Sequence, residues 1–476
     1  MDNKQIVNNL HKQGNIVSDW SIITLTDSYK VSHANMYPKG TQKVYSYFES
    51  RKGAQFDSTV FFGLQYLIKR YLVGSVVTQE NIDAAAEMFE QHFGYNNLFN
   101  RKGWEYILKV HGGRLPVRIK AVPEGTPVTV SNILMSVENT DDNCYWLTNY
   151  LETILTHTWY GSTVATLSRE VKLLIKHFYD LTADSDVGLS FGLQDFGCRG
   201  VSCMEQAAFG GAAHLINFLG TDTVPAMPFA VKYYDANFNG LGYSVPATEH
   251  SIMTALGRDG EMEIIQNLLD EYPNGILSVV GDSYDIYNTA HQLGTKFKEQ
   301  VLNRAGTFVL RPDSGDPEEV MLRLLNILGK HFGTTRNNKG KMILPKNIRL
   351  LWGDGIDYRG IRNILDVMLI NGWSIENIAC FGMGGGLLQK VNRDTQRSAF
   401  KCSAQMRNDV WVDIQKDPLD KSKKSKAGRL KLIKDGNDYK TVRIEEPGED
   451  LLVTVFENGE LLVDQKFDDV RARAQV

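Results

Sequence analysis

Two patterns of apolar side chains divide the chain. In the first third, apolar residues at helical spacing (60–72) are mixed with stretches in which apolar and polar residues alternate (116–122 and 127–130). Helical spacing predicts an amphipathic helix, and alternation predicts a half-buried strand. The first third is therefore predicted to be an α+β region.

From about Thr163 the pattern changes to amphipathic helices that alternate with short, fully apolar runs. This rhythm is typical of βα units around a parallel sheet, which place ligands at the carboxyl ends of the strands. Four runs end in Asp, Arg or Gly: 276–280 leads into Gly281-Asp-Ser-Tyr-Asp, 307–310 into Arg311-Pro-Asp-Ser-Gly, 348–352 into Gly353-Asp-Gly-Ile-Asp, and 375–381 into Gly382-Met-Gly-Gly-Gly. We expect the functional site at these four ends.

Alternation returns after about residue 400. The predicted fold class is α/β, an irregular α/β barrel (161–399) with a second, sheet-rich α+β domain formed by the N- and C-terminal segments (1–160 and 400–476). Asp316-Pro317-Glu-Glu predicts the start of a barrel helix, because Asp caps helices, Pro suits the first helical position and acids suit the first turn.

Composition narrows the function classes. The 476 residues carry 52 Lys and Arg against 56 Asp and Glu, a net charge of −4, so a generic nucleic-acid binder is excluded. We see neither an apolar run of about 18 residues nor a signal sequence, and expect a cytoplasmic protein with no membrane partner. The odd, scattered set of five cysteines predicts free buried thiols.

Candidate anion-binding residues cluster late in the chain. The glycine run 382–386 lies between a predicted strand and a predicted helix, where free backbone N–H groups can hold a phosphate; a tight turn under a closely packed helix is the alternative. Arg393, Arg397, Lys401 and Lys416 follow it. The dense basic run 421–429 is interpreted as a mobile exposed loop, because like charges repel.

Carboxylates and one histidine complete the candidates from residue chemistry. Five aspartates are expected to converge at the strand ends and to bind sugar hydroxyls or hydrated Mg²⁺, with helix capping as the alternative for each one: Asp282, Asp285, Asp313, Asp354 and Asp357. His250 follows Glu249 and is a candidate base or nucleophile, although a lone histidine is more often structural.

Together these segments resemble the nicotinamide phosphoribosyltransferase family of type II phosphoribosyltransferases. The matching motifs run in order along the chain: Thr26-Asp-Ser-Tyr-Lys-Val-Ser-His, Lys43-Val-Tyr-Ser-Tyr-Phe-Glu-Ser-Arg, Asp195-Phe-Gly-Cys-Arg-Gly-Val-Ser, Gly220-Thr-Asp-Thr-Val, Tyr243-Ser-Val-Pro-Ala-Thr-Glu-His-Ser, Asp282-Ser-Tyr-Asp-Ile-Tyr, Arg311-Pro-Asp-Ser-Gly, Gly353-Asp-Gly and Gly382-Met-Gly-Gly-Gly-Leu-Leu-Gln-Lys. The resemblance implies a homodimer with shared active sites that joins nicotinamide to 5-phosphoribosyl 1-diphosphate with Mg²⁺, giving nicotinamide mononucleotide and diphosphate in NAD salvage.

The resemblance also implies residue roles. Phe196 and the partner subunit's Tyr29 would sandwich the pyridine ring, and Asp222 would accept a hydrogen bond from the carboxamide and so select nicotinamide over nicotinate. Arg199, Arg311 and His250 would surround the diphosphate and the ring. The ribose hydroxyls would contact Asp313, and the ribose phosphate would contact a set completed by three further cations: Gly353, Asp354, Gly384, Gly385 and Arg393, with Arg51, Lys401 and Lys416.

In the family, the histidine at position 250 is phosphorylated by ATP, which couples hydrolysis to synthesis. His250, Asp313 and Arg311 are therefore the expected catalytic residues, and Glu249 or Asp282 is expected to orient the imidazole. The chain departs from the expected family pattern at Gln194, Cys198, Cys203 and Cys380, where His, an aromatic, Ser and no residue are expected.

Two other functions compete with this interpretation. A nicotinate phosphoribosyltransferase would share the fold, but a carboxylate at Asp222 disfavours a nicotinate carboxylate beside it. A non-catalytic binding protein on the same scaffold would not need His250, Arg311, Asp313 and the glycine run together.

Overall fold

The computed structural model describes residues 20–95, 97–416 and 425–475. The chain divides into two compact units, the first formed by Met1–Thr166, Lys232–Asp235 and Asn392–Ala474, and the second by Leu167–Val231, Ala236–Val391 and Gln475–Val476. The predicted domain bounds, 1–160 with 400–476 and 161–399, stay a prediction. In the described ranges, no helix is both long and apolar enough to cross a membrane.

The described residues form nineteen strands, which are numbered in chain order. They are β1 (Thr41–Ser50), β2 (Ser58–Val60), β3 (Val117–Ala121), β4 (Pro127–Thr129), β5 (Ile133–Asn139), β6 (Leu193–Asp195), β7 (Gly220–Thr221), β8 (Asn274–Val280), β9 (Ala305–Arg311), β10 (Thr335–Arg336), β11 (Met342–Ile343), β12 (Ile348–Trp352), β13 (Ile378–Met383), β14 (Ser398–Arg407), β15 (Val410–Asp413), β16 (Leu430–Asp435), β17 (Asp438–Arg443), β18 (Val453–Glu457) and β19 (Glu460–Leu461).

The helices lie between these strands along the chain. The α-helices are Leu64–Leu67, Gln79–Phe93, Arg101–His111, Leu147–Tyr150, Glu152–Thr156, Thr158–Thr182, Met204–Leu215, Ala226–Tyr234, His250–Met253, Gly257–Glu271, Ile286–Thr295, Lys298–Leu302, Pro317–Phe332, Tyr358–Ile370, Gly385–Leu388 and Phe467–Ala474. A π-helical turn spans Ile68–Leu72, and 3₁₀ turns span Ser28–Asn35, Asp142–Cys144, Leu189–Phe191, Cys198–Gly200 and Ile375–Asn377.

The first unit contains a seven-stranded sheet in the order β15-β14-β1-β5-β3-β18-β19. Neighbouring strands are antiparallel, and β1 pairs with both β14 and β5. Strands from the end of the chain thus flank those from its beginning. This confirms the prediction that the C-terminal segment completes the N-terminal sheet.

The predicted helix over 60–72 forms only in its second half. Val60 ends β2, and the helix begins at Leu64, where Gly63 has a positive φ of 105° that glycine adopts readily. The buried Glu124 carboxylate accepts hydrogen bonds from the N–H groups of Gly63 (2.7 Å) and Gln65 (2.6 Å). A side chain from elsewhere in the chain therefore satisfies the orphan donors at this helix start, which periodicity alone does not reveal.

The second unit contains six parallel strands in the order β7-β6-β13-β12-β9-β8. The irregular segment 243–248, which we name the closing segment, joins the two edges: Tyr243 bridges Gly220 of β7, and Ala247 bridges Ser278 of β8. The main-chain bond from Ser278 N–H to the Pro246 carbonyl measures 2.9 Å. The parallel sheet is thereby closed into the irregular barrel that the sequence predicts.

Local chemistry explains the barrel helix at Pro317–Phe332. Asp316 caps it by accepting a hydrogen bond from Glu319 N–H at 3.0 Å, and Pro317 occupies its first turn, as predicted. Its buried face carries Val320, Leu324 and Leu328 at helical spacing. Packing of that face fixes the strand-to-helix loop, and with it Arg311 and Asp313.

Candidate active site

His250 lies among carboxylates at the end of β8. Its Nε2 atom is 3.4 Å from Asp313 Oδ2 and 3.7 Å from Asp282 Oδ1, while Nδ1 is 3.2 Å from Ser283 Oγ. The side chain of Asp282 is 6% exposed, and its Oδ1 has no hydrogen-bond partner among the described groups. Glu249 instead accepts from the hydroxyl of Ser251, so Asp282 and Asp313 are the carboxylates placed to orient the imidazole.

Arg311 links this carboxylate cluster to Phe196. Its guanidinium donates two hydrogen bonds to Asp313 Oδ1, at 3.1 and 2.5 Å, and leaves Oδ2 facing His250. The same guanidinium lies 5.5 Å from the centre of the Phe196 ring. The barrel end therefore brings together Arg311, Asp313, His250 and Phe196, all of which the sequence predicts.

Glycines provide the space that the Phe196 ring occupies. A Cβ atom on Gly382 would lie 2.0 Å from Phe196 Cε2, and one on Gly353 would lie 3.3 Å from it. Phe196 N–H also donates to the Met383 carbonyl at 3.1 Å. Gly382, the first glycine of the run 382–386, is thus needed for close packing against an aromatic ring. This corresponds to the structural alternative for the run, except that the packed group is the side chain of Phe196, a site residue, and not a helix.

Gly386 allows the two predicted phosphate loops to approach each other. A Cβ atom on Gly386 would lie 2.6 Å from the Ile356 carbonyl oxygen, so only glycine lets the loop after β12 approach the loop after β13. These loops carry Gly353 and Asp354, and Gly384 and Gly385, respectively. Asp354 is exposed and its carbonyl accepts from Trp352 Nε1 at 2.7 Å, which fixes the first loop.

Asp222 is held through one of its two oxygens. Oδ1 accepts hydrogen bonds from Ser244 Oγ at 2.5 Å and Gln194 Nε2 at 3.2 Å. Ser244 belongs to the closing segment and Gln194 to β6, so the barrel wall itself orients the carboxylate. No hydrogen bond to Oδ2 is found among the described residues, which leaves this oxygen as the acceptor for a ligand.

Two cavities meet at Phe196 and Asp222. The larger, of ≈ 600 Å³, is also lined by the polar side chains of Arg199, His250, Arg311 and Asp313. The smaller, of ≈ 290 Å³, extends into the barrel. Its walls combine small residues, such as Ala247, Ser278 and Ala379, with larger apolar ones, such as Val309 and Leu351. A flat ring placed where the two cavities meet would contact the charged groups of the larger cavity and the mainly apolar walls of the smaller one.

The other predicted cations belong to the first unit and form a cluster there. Burial lowers the pKa of Lys401, its neighbours Arg51, Arg393 and Lys416 lower it further, and Glu152 opposes them. The buried Nε of Arg51 has no hydrogen-bond partner in the part of the chain described. Like charges held this close favour a bound anion as their counter-charge.

Tyr29 also lies in the first unit, on the 3₁₀ turn Ser28–Asn35, and is 59% exposed. The turn is anchored by a 2.6 Å ion pair between the buried Lys30 and Glu152 and by a 2.8 Å hydrogen bond between Ser28 and His92. A rigid, exposed aromatic ring is suited to contact another molecule.

Several predicted candidates have structural roles instead. Asp285 and Asp357 cap the helices Ile286–Thr295 and Tyr358–Ile370, so for these two aspartates the capping alternative holds and the expected ligand contact is not supported. Arg397 donates to the Lys52 carbonyl at 3.2 Å and has a positive φ, which marks it as a turn residue.

The basic run 421–429 is only partly described, because 421–424 lie outside the described residues. In the described part, Lys426 forms an ion pair with the buried Glu49, and its N–H donates to Tyr47 Oη at 2.9 Å. The prediction of an exposed loop is therefore wrong at Lys426, because a strand of the sheet offers it a buried counter-charge.

All five cysteines are free thiols, as predicted, but the prediction that they are buried holds only for Cys144, and Cys203 is exposed. Cys198 lines the larger cavity and Cys380 the smaller, and burial raises the pKa of Cys380 to about 12, so that thiol stays protonated. Cys203 caps the helix Met204–Leu215 through Sγ, 3.4 Å from Gln206 N–H.

Sequence reasoning missed Asp195, Ser244 and Ser283. Ser244 and Ser283 stand beside recognised residues in the motifs, yet nothing local shows that their hydroxyls reach Asp222 and His250. The one group of His, Cys and acidic residues found close enough to share a metal within the described ranges is His111, Asp141 and Cys144, in the first unit. Asp141 Oδ2 there already accepts from His111 and Tyr106, both at 3.0 Å.

Comparison with known proteins supports the geometry. Residues 191–460 match the family model "Nicotinate phosphoribosyltransferase (NAPRTase) family", and residues 21–119 match "Nicotinamide phosphoribosyltransferase, N-terminal domain". A nicotinamide phosphoribosyltransferase of Xanthomonas campestris pv. campestris is 44% identical over 95% of this chain and 98% of its own, and one of Acinetobacter baylyi is 33% identical over 94% and 95%.

Two solved structures share the fold. The nicotinate-nucleotide pyrophosphorylase of Pyrococcus furiosus superposes with a TM-score of 0.59 at 15% identity, over 97% of both chains. The human nicotinic acid phosphoribosyltransferase gives 0.58 at 14% identity, over 94% of this chain and 92% of its own. Since the family model spans more than half of the chain and close relatives cover nearly all of it, the chain belongs to the nicotinate phosphoribosyltransferase family and, within it, to the nicotinamide phosphoribosyltransferases.

Proposed function

We propose that this protein is a cytoplasmic nicotinamide phosphoribosyltransferase of NAD salvage. It joins nicotinamide and 5-phosphoribosyl 1-diphosphate to give nicotinamide mononucleotide and diphosphate, requires Mg²⁺, and couples the reaction to ATP through phosphorylation of His250. It works as a homodimer with shared active sites and has no nucleic-acid or membrane partner. Five free thiols fit a reducing compartment.

One observation carries the choice of substrate, the half-occupied carboxylate of Asp222. With Oδ1 taken by Ser244 and Gln194, Oδ2 accepts one N–H of a carboxamide. Nicotinate would bring a second carboxylate with no donor, and the two charges would repel each other. This favours the amide over the acid.

The ring binds by stacking. Phe196 lines both cavities beside Asp222, so a pyridine whose carboxamide reaches Asp222 lies against the Phe196 ring. The opposite face is covered by the partner subunit's Tyr29. Two aromatic faces give offset stacking, worth about 0.5–1.5 kcal/mol for each pair beyond the area they bury.

The reaction needs no base at the ring. The pyridine nitrogen carries a lone pair and no proton, so it attacks the anomeric carbon of the ribose directly. A bond from nitrogen to carbon forms, the bond from that carbon to the diphosphate oxygen breaks, and the electron pair leaves with the diphosphate. Catalysis comes from holding the two substrates in line and from neutralising the charge that grows on the leaving group.

Cationic and glycine-rich elements bind the anions. Arg199 and Arg311 line the polar cavity for the diphosphate, while Asp313 binds the ribose hydroxyls. For the ribose phosphate, the family resemblance assigns the loop residues Gly353, Asp354, Gly384 and Gly385 of the second unit, and the residues Arg51, Arg393, Lys401 and Lys416 of the first. The unpartnered Oδ1 of Asp282 is suited to a water ligand of Mg²⁺, a metal that neutralises diphosphate charge when it is bound.

ATP coupling rests on His250. Its Nδ1 atom faces Ser283, and its Nε2 atom faces the carboxylates of Asp282 and Asp313, which hold the ring in place. Nearly half of the side chain, 49%, is exposed, so a phosphoryl donor can reach it. A positioned, accessible imidazole is the arrangement that phosphoryl transfer requires.

The test incubates the purified protein with Mg²⁺, 5-phosphoribosyl 1-diphosphate and either nicotinamide or nicotinate, with and without ATP, and measures mononucleotide formation. We expect product from nicotinamide only, and more of it with ATP. His250→Ala should keep the fold, measured by circular dichroism, and the ATP-independent reaction, but lose the stimulation by ATP.

Each component of the proposal has its own contrary outcome. Product from nicotinate would move the assignment to a nicotinate enzyme, and no product from either substrate would support the non-catalytic alternative. Normal ATP stimulation in His250→Ala would remove His250 from the coupling while leaving the transfer reaction in place.

A further inference from the structure

Asp195, the last residue of β6, is fully buried. It directly precedes Phe196, which lines both cavities. Its Oδ1 accepts a hydrogen bond from Gly197 N–H at 2.7 Å, closing a tight turn around Phe196. Its main-chain carbonyl accepts from Asp222 N–H at 2.9 Å. Asp195 therefore accepts hydrogen bonds from the residue after Phe196, the ring-stacking group, and from Asp222, the amide-binding group.

These two bonds set a distance that recognition needs. The ring of nicotinamide must face Phe196 while its carboxamide reaches Asp222, so a shift of either residue separates two contacts that must form together. The turn fixes the direction in which Phe196 leaves the strand, and the carbonyl bond fixes the height of Asp222 on the neighbouring strand end.

The second oxygen of Asp195 shows that this arrangement is not simply the most stable packing. Oδ2 is buried and makes no well-aligned hydrogen bond among the described residues, and the Thr223 hydroxyl is the polar group that interacts with the carboxylate from the neighbouring strand end. A Cβ atom on Gly211 would lie only 3.3 Å from Oδ2, so the helix above it packs closely. A buried carboxylate oxygen without a well-aligned hydrogen bond is destabilising, which an ordinary turn residue would avoid.

We propose that Asp195 is a positioning residue for the nicotinamide site: its carboxylate fixes the turn that carries Phe196 and so keeps the ring in register with Asp222, which is bonded to the main chain of the same residue. The inference rests on the proposed function, because it assigns Asp195 to the same substrate. Asp195 does not touch the substrate and acts only through its two neighbours.

The test compares steady-state kinetics of Asp195→Ala and Asp195→Asn with the wild type. Asp195→Ala should raise the KM for nicotinamide roughly tenfold or more, as expected for a lost hydrogen bond to a buried charged group, while the KM for 5-phosphoribosyl 1-diphosphate and kcat change less than about threefold. Asp195→Asn keeps the acceptor oxygen for Gly197 and should restore the KM for nicotinamide to within about threefold.

Two further variants control for folding. Asp316→Ala removes an aspartate of similar local chemistry, the cap of Pro317–Phe332, and should lower thermal stability without changing either KM. Where Asp195→Ala does not fold, Asp195→Ser serves instead, because a serine hydroxyl makes the same turn more weakly and should give a smaller rise in the KM for nicotinamide.

The outcomes separate the two proposals. An unchanged KM for nicotinamide in the folded alanine or serine variant, or an equal loss for both substrates that asparagine does not restore, overturns the role of Asp195 and leaves the enzyme assignment intact. A wild-type protein inactive towards nicotinamide overturns the proposed function, and this inference with it.

Discussion

At the scale of single residues, the choice between amide and acid depends on Asp222. The carboxylate is fixed through Oδ1 and open at Oδ2, so its contribution is one charge-assisted hydrogen bond, worth about 1.5–3 kcal/mol.

Asp222→Ala should therefore lower kcat/KM for nicotinamide by roughly 10- to 100-fold and relax the preference over nicotinate. Competition assays with both substrates measure the ratio directly. Ser251→Ala, which removes a hydroxyl bound to Glu249 rather than to Asp222, is the matched control and should keep the preference. An unchanged preference in Asp222→Ala would contradict this account of selectivity.

Asp195 makes a second prediction, on stability. Burial, and secondarily the charge of Asp222, raise its pKa from 3.8 to about 6, against the opposing effects of Gly197 N–H and Thr223. Because the folded protein binds this proton more tightly than the unfolded chain does, the free energy of unfolding falls as pH rises from about 4 to 6 and stays lowered above that.

Asp195→Asn removes this loss of unfolding free energy, because the asparagine amide does not ionise. It should raise the free energy of unfolding above pH 7 by as much as about 3 kcal/mol, from a shift of about two pH units, and change it little below pH 4. Urea unfolding at both pH values measures the difference. Equal stabilisation at the two values would show that Asp195 does not titrate as the structure indicates.

At the scale of elements, the end of β13 packs closely against the ring of Phe196. Gly382→Ala places a methyl group 2.0 Å from Phe196 Cε2, so the ring must move. The KM for nicotinamide should rise at least roughly tenfold, since stacking and the amide bond can no longer form together. Gly360→Ala, in the helix Tyr358–Ile370, is the control, because its nearest contact lies 3.2 Å away on a side chain. A normal KM in Gly382→Ala would mean that the ring does not stack where we place it.

The elements also show which features a sequence can predict. The cap at Asp316, the alternation in β3 and the apolar barrel strands depend on neighbours in the chain, and they were predicted correctly. The closing segment shows neither the helical nor the alternating spacing of apolar residues. Its pairing with β7 and β8 depends on strands that lie far apart in sequence, so local patterns do not reveal it. For the same reason the contacts of Ser244, Ser283 and Lys426, and the identity of the ring that packs against Gly382, do not follow from local sequence patterns.

At the scale of the whole molecule, the proposed shared site can be tested by mixing subunits. Tyr29→Ala and Phe196→Ala should each be nearly inactive alone, because each variant lacks one face of the stack at every site. In a mixed dimer, one site combines intact Phe196 with the partner's intact Tyr29, and the other site lacks both.

With equal random mixing, half of the dimers are mixed and half of their sites are intact, so about a quarter of wild-type activity should return. Co-expression of two differently tagged variants, followed by purification through both tags, should raise the recovery to about half. No recovery in the doubly tagged dimer would show that Tyr29 and Phe196 of one site come from the same subunit.

The order of strands in the seven-stranded sheet has a consequence for synthesis on the ribosome. Strands β1, β5 and β3 emerge early and can pair at once, but their outer partners β14 and β18 begin only at Ser398 and Val453. Between Asn139 and Ser398 the ribosome must translate the whole barrel, which takes on the order of 10–50 s at about 5–20 residues per second. During that time the nascent three-stranded sheet has two unpaired edges, so the newborn chain needs protection from self-association well before it has an active site to protect.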